Sequence, residues 1–121
     1  MGIRSYKELE AYKKGYELTK LVYKLTKMFP KEEIYGITSQ IRRAAVSIPS
    51  NIAEGYMRSS REYIKFLKIA LGSCAELETQ LSISNDLGFC DALDFDKALG
   101  LTIETIKLLI TYINKLTKRS V

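Results

Sequence analysis

Four polar side chains in this chain could carry chemistry, because helical spacing would bring them together. Arg43, Asn51 and Glu54 are separated by near-multiples of a helical turn, and Glu76 falls at the matching height of the next helical segment. A guanidinium among carboxylates could bind a ligand or take part in acid–base catalysis. The same residues could instead form a hydrogen-bonded polar layer that sets the register of two helices or of a subunit contact. We favour the polar layer.

The absence of histidine narrows the chemistry further. No histidine occurs in the 121 residues, which removes the usual general base at neutral pH, the commonest metal ligand and every Ser-His or Cys-His nucleophile. Cys74 and Cys90 fit neither a CxxC motif nor a disulfide framework, so we expect both to be reduced and Cys74 to pack as a small hydrophobe. The glycines are isolated and form no phosphate loop. The sequence therefore predicts a protein that is not an enzyme and holds no metal or cofactor.

A stripe of lysines is the clearest candidate for binding. The chain has a net charge of +5 and a pI near 9.2, and much of the positive excess lies in the first thirty residues. The residues that share one side of the first helix are Lys13, Lys20, Lys24 and Lys27. Such a stripe would contact nucleic-acid phosphates without reading their sequence. The alternative is a solvated face that keeps the protein soluble.

A second basic area is expected where the chain termini meet. In an up-down bundle the start of the first helix lies beside the end of the fourth, so Arg4 and Lys7 would approach three cations at the carboxyl-terminal end. Those three residues are Lys115, Lys118 and Arg119. They could add to a phosphate-binding surface, or Lys118 and Arg119 could simply complement the negative end of the fourth helix.

The first two helices are indicated by apolar residues at intervals of three and four. A capping box of Ser5 and Glu8 opens the first helix, which ends before Pro30. The second begins between residues 31 and 37 and stops at Gly55. The predicted buried face of the first comprises Leu9, Tyr12, Tyr16, Thr19, Tyr23 and Thr26. That of the second comprises Ile34, Ile37, Ile41, Ala44, Ala45, Ile48 and Ile52.

The third and fourth helices follow the same pattern. Ser59 and Glu62 form the capping box of the third, Gly88 closes it, and Asp91 or Asp94 caps the fourth. The third buries Tyr63, Phe66, Leu67, Ala70, Leu71, Cys74, Leu77 and Leu81. The fourth buries Phe95, Ala98, Leu99, Thr102, Ile103, Ile106, Leu109, Ile110, Ile113 and Leu116. No segment alternates like a strand, so we predict an all-α, antiparallel up-down-up-down four-helix bundle as one domain over residues 1–121.

Pro49 lies inside the second helical pattern. The apolar phase continues past it without a slip, so we expect a bend at Pro49 and no restart of the helix. A proline has no N–H, which leaves the carbonyl of Ala45 without its helical donor. Ser47, Ser50 and Asn51 are near enough in sequence to supply a replacement, as are water and a neighbouring subunit.

Two segments carry a resemblance to a known family. "QIRRAAVSIPSNIAEG" and "ALGSCAELETQL" are similar to the core of the bacterial four-helix bundle family encoded in 23S ribosomal RNA intervening sequences. This resemblance implies an antiparallel bundle that assembles as a ring-shaped homopentamer, with no established enzymatic activity. It also implies a distant similarity to the accessory variability determinant of diversity-generating retroelements, which binds nucleic acid and a reverse transcriptase.

These observations favour a non-enzymatic, oligomeric binding or scaffold protein that engages RNA or DNA through lysine-rich helix faces. A structural adaptor for a protein partner, with no nucleic-acid role, is the alternative, and an enzyme that uses Arg43 with Glu54 or Glu76 is a third interpretation. The eight tyrosines could stack on bases, although Tyr12, Tyr16 and Tyr63 lie on apolar stripes that predict core or subunit contacts. The chain shows neither a signal peptide nor a membrane span, so we expect a cytoplasmic protein.

Overall fold

Four long helices form the scaffold on which every candidate residue is placed. The structure, a computed structural model, describes residues 5–120 apart from the side chain of Ser120. The helices are α1 (Glu10–Thr26), α2 (Ile37–Tyr56), α3 (Ser60–Asp86) and α4 (Ala92–Ser120), with short 3₁₀ turns at Tyr6–Glu8 and Lys31–Glu33. Within residues 5–120 there is no strand. Each helix contacts its two neighbours in the cycle α1–α2–α3–α4, and no diagonal pair meets in the described chain. The prediction of an all-α four-helix bundle is confirmed.

The start of α1 differs from the prediction. The Ser5 hydroxyl accepts a hydrogen bond from the Lys7 amide at 3.2 Å, and it therefore caps the short 3₁₀ turn and not the helix. Leu9 then adopts an extended backbone (ψ 132°), and α1 begins at Glu10 without a side-chain cap. The extended step buries the Leu9 side chain in the core. A capping box can open a 3₁₀ turn as well as an α-helix. Here it opens the 3₁₀ turn, because the Leu9 backbone is extended and its side chain enters the core.

The buried face of α1 also differs from the prediction. The residues that face the core are Ala11, Gly15, Leu18, Val22, Leu25 and Thr26. The predicted tyrosine stripe lies to one side of this face: Tyr12 is half-buried, and Tyr16 and Tyr23 are 52% and 41% exposed. The helix carries two neighbouring stripes, and the mostly aliphatic stripe enters the core. The hydroxyl of its one threonine, Thr26, is paired within the helix with the Val22 oxygen, whereas buried tyrosine hydroxyls would each need a partner. Tyr16 is therefore not a core residue, whereas Tyr63 is buried as predicted.

The second helix runs through its proline. α2 is continuous from Ile37 to Tyr56 with Pro49 inside it, and its predicted core face is buried from Ile41 onward. Ile34 lies before the helix and is exposed. Gly55 is not the stop that was predicted, since α2 continues one residue further to Tyr56 and has Met57 as its C-cap. Gly55 is instead buried where α2 crosses α3 closely. A Cβ atom at this position would lie 2.6 Å from Phe66 Cβ, so the glycine serves helix packing.

The carbonyl that Pro49 frees finds its donor on another helix. Thr19 Oγ1 of α1 lies 3.0 Å from the Ala45 oxygen, and it also lies 2.8 Å from the oxygen of Gly15. The Gly15 oxygen already has a helical amide partner, so the Ala45 oxygen is the acceptor that depends on the hydroxyl. The prediction of a donor close in sequence was wrong, because Thr19 lies 26 residues before Ala45.

The ends of α3 and α4 agree with the sequence pattern. The Ser59 hydroxyl accepts from the Glu62 amide, and Gly88 follows α3 with a φ of +79°, a conformation that favours glycine. Of the two candidate caps of α4, Asp91 is the one that acts, since its carboxylate accepts from the Asp94 amide at 3.1 Å. Ile103 and Ile110, which were predicted to be buried, are exposed because α4 turns a narrower face inward. That face is formed by Ala98, Thr102, Thr105, Leu109 and Ile113.

Both cysteines are free, as predicted, and Cys74 is fully buried. Burial raises the pKa of the Cys74 thiol to about 12, with a smaller contribution from the charge of Glu78. No helix of the described chain is both long enough and apolar enough to cross a membrane.

Candidate nucleic-acid interface

The predicted lysines are all exposed: Lys13, Lys20 and Lys24 lie on one side of α1, and Lys27 is its C-cap. We call Lys13, Lys20, Lys24 and Lys27 the α1 lysine face. Lys13 lies 3.4 Å from Glu10, and Lys24 lies 3.7 Å from Asp94 of α4. The ammonium of Lys20 stands 5.7 Å from the centre of the Tyr16 ring. Neither Lys20 nor Lys27 forms an ion pair with any residue in the described part of the chain.

The two ion pairs do not prevent the α1 lysine face from binding a polyanion. Lys13 and its partner Glu10 are each more than half exposed, and so is Lys24. The Lys13–Glu10 pair, exposed on both sides, contributes only about 0–1 kcal/mol, so a polyanion can compete for Lys13. Asp94 is only 16% exposed, but the Lys24 side chain is 70% exposed and stays accessible from solvent. The α1 lysine face is therefore a set of available cations along α1 and its C-cap.

A shallow groove between α1 and α2 lies beside the lysines. It consists of two depressions that share Val46 and Ser50 as lining residues, and we call it the α1–α2 groove. No carboxylate lines either depression within the described residues. Its aromatic and cationic lining residues are Tyr12, Tyr16, Tyr23, Lys20, Arg42 and Arg43. The groove thus combines aromatic rings with positive charge and no negative side chain.

Arg42 is held in place on the wall of this groove. Its Nε atom donates to Thr26 Oγ1 at 2.8 Å, and its guanidinium carbon stands 4.7 Å from the centre of the Tyr23 ring. The Thr26 hydroxyl in turn reaches the Val22 oxygen at 2.7 Å. Arg42 was missed in the sequence, where only the neighbouring Arg43 was singled out. Its role depends on contacts with α1, which its spacing along α2 does not reveal.

The predicted polar layer forms in part. Ser47 and Ser73 join α2 to α3 through a hydrogen bond of 2.8 Å, and the Asn51 amide donates to the Ser47 hydroxyl and carbonyl oxygens, each at 2.8 Å. Arg43 and Glu76 line one depression together with Ser47. Between Arg43 and Glu76 the described chain forms no ion pair. The centre of the layer is therefore a pair of serines.

Glu54 is not part of this layer, contrary to the prediction. Its carboxylate lies 2.9 Å from the guanidinium of Arg58, one helical turn further on, and both side chains are exposed. Arg58 also lies 3.6 Å from Glu62 in the first turn of α3, so Glu54 belongs to an exposed group of ion pairs at the α2–α3 turn. Glu76 instead contacts the Gln80 amide at 3.5 Å.

The second basic area is only partly described. Lys115, Lys118 and Arg119 are exposed on the last turns of α4. The 3₁₀ turn that carries Lys7 contacts α1 and α2 and, in the described chain, does not contact α4. Arg4 lies outside the described residues. A basic area on α4 remains a prediction, without the expected support from Lys7.

A third set of cations was not anticipated from the sequence. Arg61, Lys65 and Lys68 are exposed on one side of α3 and line a shallow depression with Ile64 and Ile69. Their helical spacing was the available signal. Within the described residues, no group of three or more histidine, cysteine or acidic side chains could hold a metal ion.

Known proteins share this architecture. The family model described as 23S rRNA-intervening sequence protein matches residues 7–111. The chain is also similar to a crystal structure from Bacteroides thetaiotaomicron, described as a protein with unknown function from the S23 ribosomal protein family. The similarity has a TM-score of 0.78 and 26% sequence identity, and covers 86% of this chain and 95% of that chain. No curated protein matches the chain. The family match extends over nearly all of the bundle, from the turn before α1 into α4, and the chain therefore belongs to the 23S rRNA-intervening sequence protein family.

Proposed function

We propose that this chain is a non-enzymatic, oligomeric scaffold of the cytoplasm that binds RNA or DNA through phosphate contacts of the α1 lysine face. The observation that carries the proposal is the exposure of Lys13, Lys20 and Lys24 on one side of α1, with Lys27 exposed at its C-cap. Lysine contacts to phosphates supply affinity without reading sequence.

Oligomerisation would multiply these contacts. One α1 lysine face offers few phosphate contacts, and a ring of identical chains would repeat it around an axis so that weak contacts add. The resemblance that suggests a homopentamer supports this part of the proposal. Exposed aliphatic residues on α3 and α4 supply apolar surface that a second copy could cover; these are Ile69, Ile83, Ile103 and Ile110.

The test is a binding titration with charge-reversal variants of equal charge. A fluorescein-labelled RNA of about 25 nucleotides is titrated at low and at moderate salt, and anisotropy reports binding. The α1 variant is the triple substitution Lys20→Glu, Lys24→Glu, Lys27→Glu. It is compared with an α3 variant of the same net charge, Arg61→Glu, Lys65→Glu, Lys68→Glu. We expect the α1 variant to weaken binding by about tenfold or more and the α3 variant to do much less.

Two results would reject the proposal. One is no binding at low salt, for either RNA or single-stranded DNA. The other is an equal loss in the two variants, which would indicate an effect of net charge alone and not of the α1 lysine face. Light scattering on the same samples measures whether the binding species is an oligomer.

The second candidate is an adaptor that binds a protein partner. The exposed isoleucines of α3 and α4 favour it, because aliphatic surface contacts proteins better than phosphates. A complex with another protein that survives nuclease treatment and high salt, and that is lost in Ile103→Ser, Ile110→Ser while the oligomeric mass of the chain is unchanged, would support the adaptor. A complex that dissociates with added salt would support nucleic-acid binding.

A further inference from the structure

The α1–α2 groove exposes aromatic rings that a soluble bundle does not need for its core. Tyr16 and Tyr23 are 52% and 41% exposed and lie two helical turns apart on α1. At a rise of about 1.5 Å per residue, their positions are roughly 10 Å apart along the helix. Lys20 lies between them and contacts the Tyr16 ring. Rings alternate with a cation along this wall of the groove.

The opposite wall presents a cation that is already ordered. Arg42 is fixed by its hydrogen bond to Thr26 and by its contact with the Tyr23 ring. Its guanidinium is planar and has further N–H groups that these two contacts do not use. An arginine that is ordered before binding loses little conformational freedom when it meets a phosphate or a base.

The lining residues also limit the class of ligand. The described lining contains Lys20, Arg42 and Arg43, contains serine and threonine hydroxyls, and contains no carboxylate. This composition complements a polyanion that also presents flat aromatic surfaces. Single-stranded nucleic acid has both features, whereas a duplex hides the faces of its bases.

We propose that the α1–α2 groove binds single-stranded RNA or DNA, with phosphates bound by Lys20 and Arg42 and with bases stacked on the faces of the Tyr16 and Tyr23 rings that these two cations leave uncovered. This inference rests on the proposed function and adds the substrate class and the residues that recognise it. Lys24 and Lys27 then guide the strand along α1 outside the groove. Because an aromatic ring can stack on any base, the groove is expected to distinguish single strands from duplexes and not one sequence from another.

The test compares a single strand with a duplex of the same sequence in tyrosine variants. Tyr16→Leu and Tyr23→Leu keep apolar bulk and remove the ring, and each is expected to lower the single-strand affinity by about fivefold to a hundredfold. Tyr16→Phe and Tyr23→Phe keep the ring and should restore most of that affinity. Tyr35→Leu is the matched control, because Tyr35 is 96% exposed and does not line the groove.

Three outcomes would overturn the inference. They are an unchanged single-strand affinity in the leucine variants, a preference of the native chain for the duplex, and a change of oligomeric mass in the leucine variants. The last would identify the groove as a contact between copies. If the α1 lysine variant loses binding while the leucine variants do not, the proposed function stands and this inference alone fails.

Discussion

At the residue scale, a single missing N–H group determines how α1 and α2 are joined. Pro49 cannot donate to the Ala45 oxygen, which lies at a fully buried residue, and the Thr19 hydroxyl of α1 occupies the vacant position at 3.0 Å. A buried carbonyl without a donor is costly, so this contact ties the two helices that form the groove. Close approach at the same height is possible because α1 has Gly15 next to Pro49.

Thr19→Val removes this donor without changing the shape of the side chain. We expect a loss of about 1–2 kcal/mol in the free energy of unfolding, measured in urea, because the Ala45 oxygen is left unpaired. Thr38→Val is the control: Thr38 is also buried, and its hydroxyl has no partner among the described residues, so its loss should be neutral or stabilising. Equal costs in the two variants would contradict the role of Thr19.

A double-mutant cycle isolates the link to proline. In a Pro49→Ala background the new amide can donate to the Ala45 oxygen, so Thr19→Val should cost less than it does in the native chain. An unchanged cost would show that Thr19 does not act through this carbonyl.

The two thiols should differ in reactivity. Burial raises the pKa of Cys74 to about 12, and it raises the pKa of the less buried Cys90 as well. At pH 8 a small disulfide reagent should therefore modify Cys90 in the native protein and reach Cys74 only on unfolding. In Cys90→Ser no thiol should react with the native chain. Two thiols that react at one rate in the native state would contradict the burial of Cys74.

The same shift makes stability fall at alkaline pH. The native chain holds the Cys74 proton up to about pH 12, whereas the unfolded chain releases it near the ordinary value of 9.0. The native state therefore binds more protons across this range, and the contribution of Cys74 is complete below pH 9 and is lost as pH rises toward 12. Cys74→Ala should reduce this fall in the free energy of unfolding, measured in urea between pH 9 and 12. A smaller fall should remain, because burial also raises the pKa values of Tyr63, Tyr12 and Cys90.

At the element scale, glycines decide how closely the helices cross. A Cβ at Gly55 would lie 2.6 Å from Phe66 Cβ, and one at Gly15 would lie 2.9 Å from Ile48 Cγ2. Gly72, in the exposed part of α3, has nothing within 4 Å of such an atom. Three glycines inside helices therefore have different roles. Gly15 and Gly55 allow two helices to pack closely, whereas Gly72 lies at an open position.

Alanine substitutions should separate these roles. Gly55→Ala is expected to lower the free energy of unfolding by about 1–3 kcal/mol, because α2 and α3 must move apart. Gly72→Ala is expected to raise it by about 0.5–1 kcal/mol, because alanine is the better helix former at an open position. Thermal unfolding measures both. A stabilised Gly55→Ala variant would contradict the close crossing.

The helices themselves were predictable, because each carries a long apolar repeat and because Ser59, Gly88 and Asp91 act as local signals at their ends. The face of α1 that enters the core was not predictable. Its aliphatic and tyrosine stripes are adjacent, and only packing against the other helices determines which of them is buried. Gly55 was misassigned for a related reason: a glycine near a helix end fits a stop signal, and its contact with α3 is not visible in sequence.

At the scale of the whole molecule, the two halves of the bundle differ in what accompanies their exposed cations. Tyrosines accompany the lysines and arginines of α1 and α2, whereas isoleucines accompany the cations of α3 and α4. The lysines were found from their spacing because exposure on a helix follows from periodicity. Spacing did not reveal Arg42 or the role of Tyr23, because both depend on contacts between α1 and α2 that arise only when the helices pack.

Lysine footprinting tests the central claim most directly. Native chain is acetylated briefly, with and without excess single-stranded RNA at low salt, and mass spectrometry measures the rate at each lysine. We predict that RNA slows acetylation of Lys20, Lys24 and Lys27, while Lys65 and Lys68 of α3 react at unchanged rates. Protection of the α3 lysines alone, or equal rates at every lysine with RNA bound, would contradict binding through the α1 lysine face.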